Sequence, residues 1–146
     1  MDIKALTYGE RLWEREADYA VNCSWSAGSH LSKQMRENGL TNWERVFVVL
    51  VDSGIAGYCA LTKEDCIPNL SYSPFIGFIF VDEAHRGKRI SEALCLHAIG
   101  YAKSVGFDKI YLISDHVNLY EKYGFIPIDQ QLAPWGTLQT IFMRQI

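Results

Sequence analysis

The sequence predicts one α/β domain, a mixed β-sheet flanked by helices, and three observations carry that expectation. Residues 75–81, Phe-Ile-Gly-Phe-Ile-Phe-Val, form a continuous apolar run, the pattern of a strand buried on both faces. Residues 46–51 and 55–61 are two further apolar, β-branched runs joined by Asp52-Ser53-Gly54, which is hairpin chemistry. A helical segment and a strand at 108–114 follow the run at 75–81, so 75–114 reads as a strand-helix-strand unit with parallel strands and a right-handed crossover.

The elements follow in order. Thr7-Tyr8-Gly9-Glu10 fits a capping box, and Leu12, Trp13, Ala17, Ala20 and Val21 recur near helical period, so a first helix is expected over 8–21. A second helix is expected over 26–38, with Gly39 as the residue that ends it. After the hairpin, 63–74 carries two prolines and reads as a loop. Ile90, Leu94, Ala98, Tyr101, Ala102 and Val105 form an amphipathic face over 91–105 that stops at Gly106. A short helix over 117–123 closes at Gly124, and strands at 125–129 and 137–144 end the chain.

At 146 residues, 49% hydrophobic and 13% aromatic, the chain suits one domain with a substantial core and is too short for two ordinary ones. A net charge of -3 argues against non-specific binding to nucleic acid or to acidic membranes. No apolar run approaches the roughly 18 residues that span a bilayer, and no apolar leader follows Met1, so the expected location is cytoplasmic. Cys23, Cys59, Cys66 and Cys95 lack paired spacing, with Cys59 and Cys95 inside apolar segments, so buried thiols are expected rather than disulfides. The histidines are scattered as well, and no metal is expected.

Between the strand at 75–81 and the following helix lies Arg86-Gly87-Lys88-Arg89-Ile90-Ser91. Amides at a helix start have no intrahelical partner and the helix dipole adds positive potential, so a glycine-containing basic turn there suits a phosphate. A solvated basic turn is the alternative reading of the same charges. The order of hairpin, long strand, this turn, helix and strand, then Leu119-Tyr120-Glu121-Lys122-Tyr123-Gly124-Phe125, resembles the GNAT N-acetyltransferase family over residues 46–129. The family writes its acyl-CoA loop Arg/Gln-x-x-Gly-x-Gly/Ala. Here Arg89 stands where glycine is usual and Ser91 where glycine or alanine is usual.

The resemblance implies an acyl-CoA N-acyltransferase fold whose strands at 75–81 and 108–114 splay apart to admit the pantetheine arm of acetyl-CoA. It implies a pyrophosphate set of Arg86, Gly87, Lys88, Arg89, Ile90 and Ser91, with Phe80 and Val81 presenting amides to pantetheine and the thioester carbonyl. Tyr120 is the implied general acid, against the alternative of a core aromatic. Attack by the amine is direct, so no cysteine is needed as a nucleophile.

The acceptor is a small-molecule or peptide amine, which must shed a proton first because an alkyl ammonium has a reference pKa of ~10.4. Asp115 and His116 follow a parallel strand at its carboxyl end, where such sheets gather ligands, and either is a candidate for that proton. The competing reading has Asp115 capping the next helix and His116 in solvent. Asn118 is a candidate donor to pantetheine or an ordinary first-turn residue. Trp25, Trp43 and Trp135 are candidates for the acceptor pocket or for packing. A non-catalytic acyl-CoA sensor and a nucleotide-binding module remain as other classes. The sequence is silent on oligomeric state, a homodimer included.

Overall fold

A computed structural model describes residues 1–40 and 42–146. Seven strands form one mixed sheet in the order β1-β2-β3-β4-β5-β7-β6. The strands are β1 (Asp2–Ala5), β2 (Arg45–Val51), β3 (Gly54–Thr62), β4 (Phe75–Val81), β5 (Lys109–Ser114), β6 (Ile126–Leu132) and β7 (Leu138–Gln145), and the helices are α1 (Arg11–Asn22), α2 (Gly28–Arg36) and α3 (Ile90–Ser104). Alternation along the strands feeds two cores. Val46, Val48, Tyr58, Ala60 and Phe80 pack beneath α1 and α2 with Trp13, Leu31 and Met35. Phe47, Cys59, Leu61, Ile76, Ile110 and Leu112 pack against Leu94, Ala98 and Ala102 of α3 on the other face. Cys59 and Cys95 are free and buried, as expected.

The hairpin turns on Asp52 and Ser53, both at positive φ (51° and 68°), the geometry whose twist matches the flanking strands. Five expectations shift. Gly9 sits at φ 87° and cannot lie in a helix, so α1 begins at Arg11; only half of the capping box forms, with the Thr7 amide donating to Glu10 Oε2 at 3.2 Å. Asn38, at φ 52°, takes the left-handed position that ends α2, and the Gly39 amide closes onto Gln34 O at 2.8 Å. β1 escaped the sequence reading because Asp-Ile-Lys-Ala is a short, mostly exposed edge strand. β6 runs on to Leu132 because backbone pairing with β7 suffices at an edge, whatever the side chains of Gln130 and Gln131.

The helix expected over 117–123 is instead a loop followed by a 3-10 turn at Tyr120–Tyr123. Asn118 at φ 63° breaks any helical run before it. The turn closes with Gly124 at φ 86° and the Phe125 amide donating to Tyr120 O at 3.1 Å.

β4 and β5 are the two parallel neighbours, and they pair at one position, Phe75 with Tyr111. Beyond it each strand keeps its other partner: β4 pairs with β3 as far as Val81, and β5 pairs with β7 along its whole length. The sheet is therefore parted at the carboxyl ends of its parallel strands. Among the described residues no helix is long and apolar enough to cross a membrane.

Candidate active site

The split begins at a bulge. Phe78 has φ 51° and the β3–β4 register slips between Tyr58 and Ala60, which bends β4 as it leaves Tyr111. The Asp82 amide donates to Ala56 O at 2.8 Å, so by strand alternation the Phe80 amide faces β3 and the Val81 amide faces the opening. Of the two amides expected at the site, Val81's is the one aimed into the gap. The Phe80 side chain lies beneath α1 and α2, 5% exposed.

Directly after β4 the chain is pinned from two sides. Asp82 accepts the Tyr19 hydroxyl at 2.8 Å through Oδ2 and the Ala84 amide at 3.0 Å through Oδ1, and these donors hold its carboxyl below the usual range. Ser24 donates to Glu83, which ties the α1–α2 loop to the same corner. Arg86 folds back, its Nε donating to Val81 O at 3.0 Å and its guanidinium 5.7 Å from the Phe80 ring. The backbone therefore enters the basic turn in a fixed direction.

Gly87 at φ 80° and Arg89 at φ 61° carry the turn through two left-handed positions into α3. Arginine tolerates this left-handed conformation poorly, whereas glycine would take it without strain. Ile90 is buried and anchors the helix start. Among the described residues the amides of 87–92 have no acceptor, leaving a cluster of donors at the positive end of a 15-residue helix. Lys88 is exposed beside them, and Arg89 makes a surface pair with Glu92 at 3.0 Å. The Ser91 hydroxyl lies 2.8 Å from the Tyr123 hydroxyl.

On the β5 side, Tyr120 is 6% exposed among Tyr123, Phe125 and Phe142, with ring centroids 5.8, 6.5 and 6.0 Å away. Its hydroxyl has no hydrogen-bond partner among the described residues, and burial pushes its pKa up, so it is a phenol at neutral pH. His116 is exposed with its ring 6.2 Å from that of Tyr120. The loop is shaped by the Ser114 hydroxyl, which accepts the His116 amide at 3.0 Å. Asp115 caps no helix, and both Asp115 and Asn118 stand exposed. The structure thus brings His116 beside Tyr120, while Asp115 has no such neighbour.

On the α1–α2 face, Trp25 stacks on Phe80 at 6.2 Å with planes 6° apart and meets Phe78 edge-on at 6.4 Å. Trp43 instead packs against Phe107 at 4.7 Å, and Trp135 stands 61% exposed between β6 and β7. Asp65, in the loop before β4, was missed by the sequence reading. Its carboxylate occupies the notch left by Gly77: a Cβ there would lie 3.1 Å from Oδ1. A glycine inside an otherwise bulky strand marks such a close approach and is the signal that was available. Burial pushes the Asp65 carboxyl up to about 6, opposed among the described residues by the Cys66 amide.

Among the described residues the site thus combines a sheet opened between parallel strands, amides without acceptors at its rim and a protonated phenol in its wall. The chain belongs to the acetyltransferase (GNAT) family, whose model matches residues 9–125. No curated protein sequence matches it significantly. Its fold is that of an aminoglycoside 6'-acetyltransferase type Ii (15% identity, 99% of this chain and 97% of the other, TM-score 0.75). It is equally that of a GNAT acetyltransferase from Elizabethkingia anophelis with acetyl-CoA bound (18%, 99% and 97%, TM-score 0.72) and an aminoglycoside 6'-N-acetyltransferase from Enterococcus faecium (14%, 99% and 97%, TM-score 0.73).

Proposed function

We propose that this protein is an acetyl-CoA-dependent N-acetyltransferase that acetylates an amine by direct attack within a ternary complex. The observation that carries the reading is the single β4–β5 pair, Phe75 with Tyr111, above a turn whose amides lack acceptors. Solved relatives with acetyl-CoA or CoA bound, and relatives named for aminoglycoside acetylation, support the donor and the chemical class of the acceptor.

In this reading the amides of residues 87–92 hold the pyrophosphate, with Lys88 and Arg89 adding charge. Arg89 is 83% exposed in its pair with Glu92, so solvent screens that pair and it competes weakly for the guanidinium. Arg86 keeps Val81 in place, so that the Val81 amide donates to pantetheine or to the thioester oxygen as charge develops there. The amine enters from the α1–α2 face, past Trp25 and Phe78, and attacks the carbonyl carbon. The C–S bond breaks as Tyr120 supplies a proton to sulfur, a transfer favoured by concert because this phenol, pushed up by burial, is a weaker acid than a thiol near ~8.5. Aromatic faces together with the carboxylates of Asp82 and Asp65 suit a cationic acceptor.

The test is thiol release from acetyl-CoA with and without putrescine, kanamycin and an alanine-initiated peptide, beside a calorimetric titration of CoA. Amine-dependent release is expected from at least one acceptor. Tight CoA binding with no amine-dependent release would make the protein a sensor, and preferential binding of ATP or NAD would make it a nucleotide module.

A further inference from the structure

The amine must lose a proton before it can attack, and of the two carboxylates on the side from which it arrives, Asp82 is engaged by the Tyr19 hydroxyl and the Ala84 amide while Asp65 is not so held. Gly77 pairs with Ala60, whose side chain belongs to the core beneath α1 and α2, so the open side of Gly77 faces those helices. Asp65 fills that open side, one residue before the Phe78 bulge and two residues beyond the last paired position, Phe75. A side chain at 77 would crowd it: a methyl carbon would lie 3.1 and 3.3 Å from the two carboxylate oxygens, which would have to give by a few tenths of an ångström. We propose that Asp65 is the general base of this enzyme, seated by Gly77 where the split begins, to take the ammonium proton on the face opposite Tyr120. The inference rests on the acetyltransfer reading above and assigns the base within it.

The surroundings fit a base rather than a structural carboxylate. Among the described residues Asp65 joins no ion pair, and the Cys66 amide is its one opposing donor. The titratable groups that feel its charge are Cys66 beside it and Tyr120 across β4, both pushed toward their neutral forms. A carboxyl near 6 is ionised at neutral pH yet closer to the operating pH than an ordinary aspartate, which makes it the better proton acceptor. The protons balance. One leaves the ammonium for Asp65, the freed lone pair forms the N–C bond, the C–S bond breaks, and sulfur takes a proton from Tyr120. The phenolate left behind recovers its proton from the amide nitrogen, and Asp65 releases its own to solvent.

The experiment compares wild type, Asp65→Asn and Asp65→Glu by kcat/KM from pH 5 to 9 with whichever of putrescine, kanamycin or the peptide gives the highest wild-type rate, and by acetyl-CoA affinity at each pH. Wild-type kcat/KM is expected to rise through a limb near pH 6. Asp65→Asn should lose that limb and about 10²–10⁴-fold in rate, the range of general acid–base catalysis, with acetyl-CoA affinity unchanged. Asp65→Glu should recover part of both. As a readout independent of turnover, the ¹³C shift of the Asp65 carboxyl should titrate near pH 6, and a midpoint near 4 would count against the proposal. Full activity in Asp65→Asn with the limb intact would overturn Asp65 alone and leave acetyl transfer standing. A wild type that binds acetyl-CoA and acetylates no amine would overturn both.

Discussion

Ser91, on the first turn of α3, lies within 2.8 Å of Tyr123, on the 3-10 turn that carries Tyr120, hydroxyl to hydroxyl. This contact joins the basic turn to the phenol-bearing turn. Ser91→Ala and Tyr123→Phe should each lower stability by about 0.5–1.5 kcal/mol, and the double variant by less than the sum. Urea unfolding of the four proteins checks this. Strict additivity would mean that the two hydroxyls are not partners.

Tyr120→Phe removes a hydroxyl that has no hydrogen-bond partner among the described residues, so it should leave the melting temperature nearly unchanged. It should lower kcat by about 10²-fold or more with little change in KM for acetyl-CoA, because the proton is needed only as sulfur departs. Steady-state kinetics decide the matter; an unchanged kcat would reduce Tyr120 to a packing aromatic.

Arg89→Gly separates backbone from charge. Relief of the left-handed arginine, at φ 61°, should stabilise the fold by about 1 kcal/mol. Loss of the guanidinium should at the same time weaken acetyl-CoA binding. Thermal melts and calorimetry read the two effects separately, and a melting temperature that fell would contradict the strain argument.

Glu16 on α1 is wholly buried with neither carboxylate oxygen hydrogen-bonded, and burial holds its pKa well above the usual carboxylate value. A raised folded-state pKa means that the unfolded chain ionises first. Stability is therefore undiminished below the unfolded value of roughly 4.5, and falls as pH rises from there toward the folded value, by up to about 1.4 kcal/mol per pH unit. Glu16→Met should raise the midpoint of urea unfolding at pH 8 and flatten its dependence between pH 5 and 8. An unaltered pH dependence would show that Glu16 does not titrate in this window.

The strand-turn-helix at 75–104 was legible because burial on both faces and helical spacing leave a strong apolar signature. The hairpin was legible because Asp52 and Ser53 are turn residues between β-branched runs. Edge strands β1 and β6 were hard to bound, since backbone pairing holds them whatever side chains they expose. Within the candidate site, Tyr120 and the turn at 86–91 were singled out by motif. The commitment of Arg86 to Val81 and of Ser91 to Tyr123 depends on where side chains turn back, which spacing along the chain does not encode. Asp65 lay in the loop at 63–74 and was not singled out, the signal being the glycine that faces it across the fold.

The central claim is that a phosphorylated acyl carrier enters between β4 and β5 and is held by the amides that follow. Titration of uniformly ¹⁵N-labelled protein with CoA tests it most directly. The account predicts saturable shifts in the amide signals of Val81 and residues 87–92, with those of the outer strand β6 unmoved. Binding that left the amides of 87–92 unshifted, or no binding at all, would contradict it.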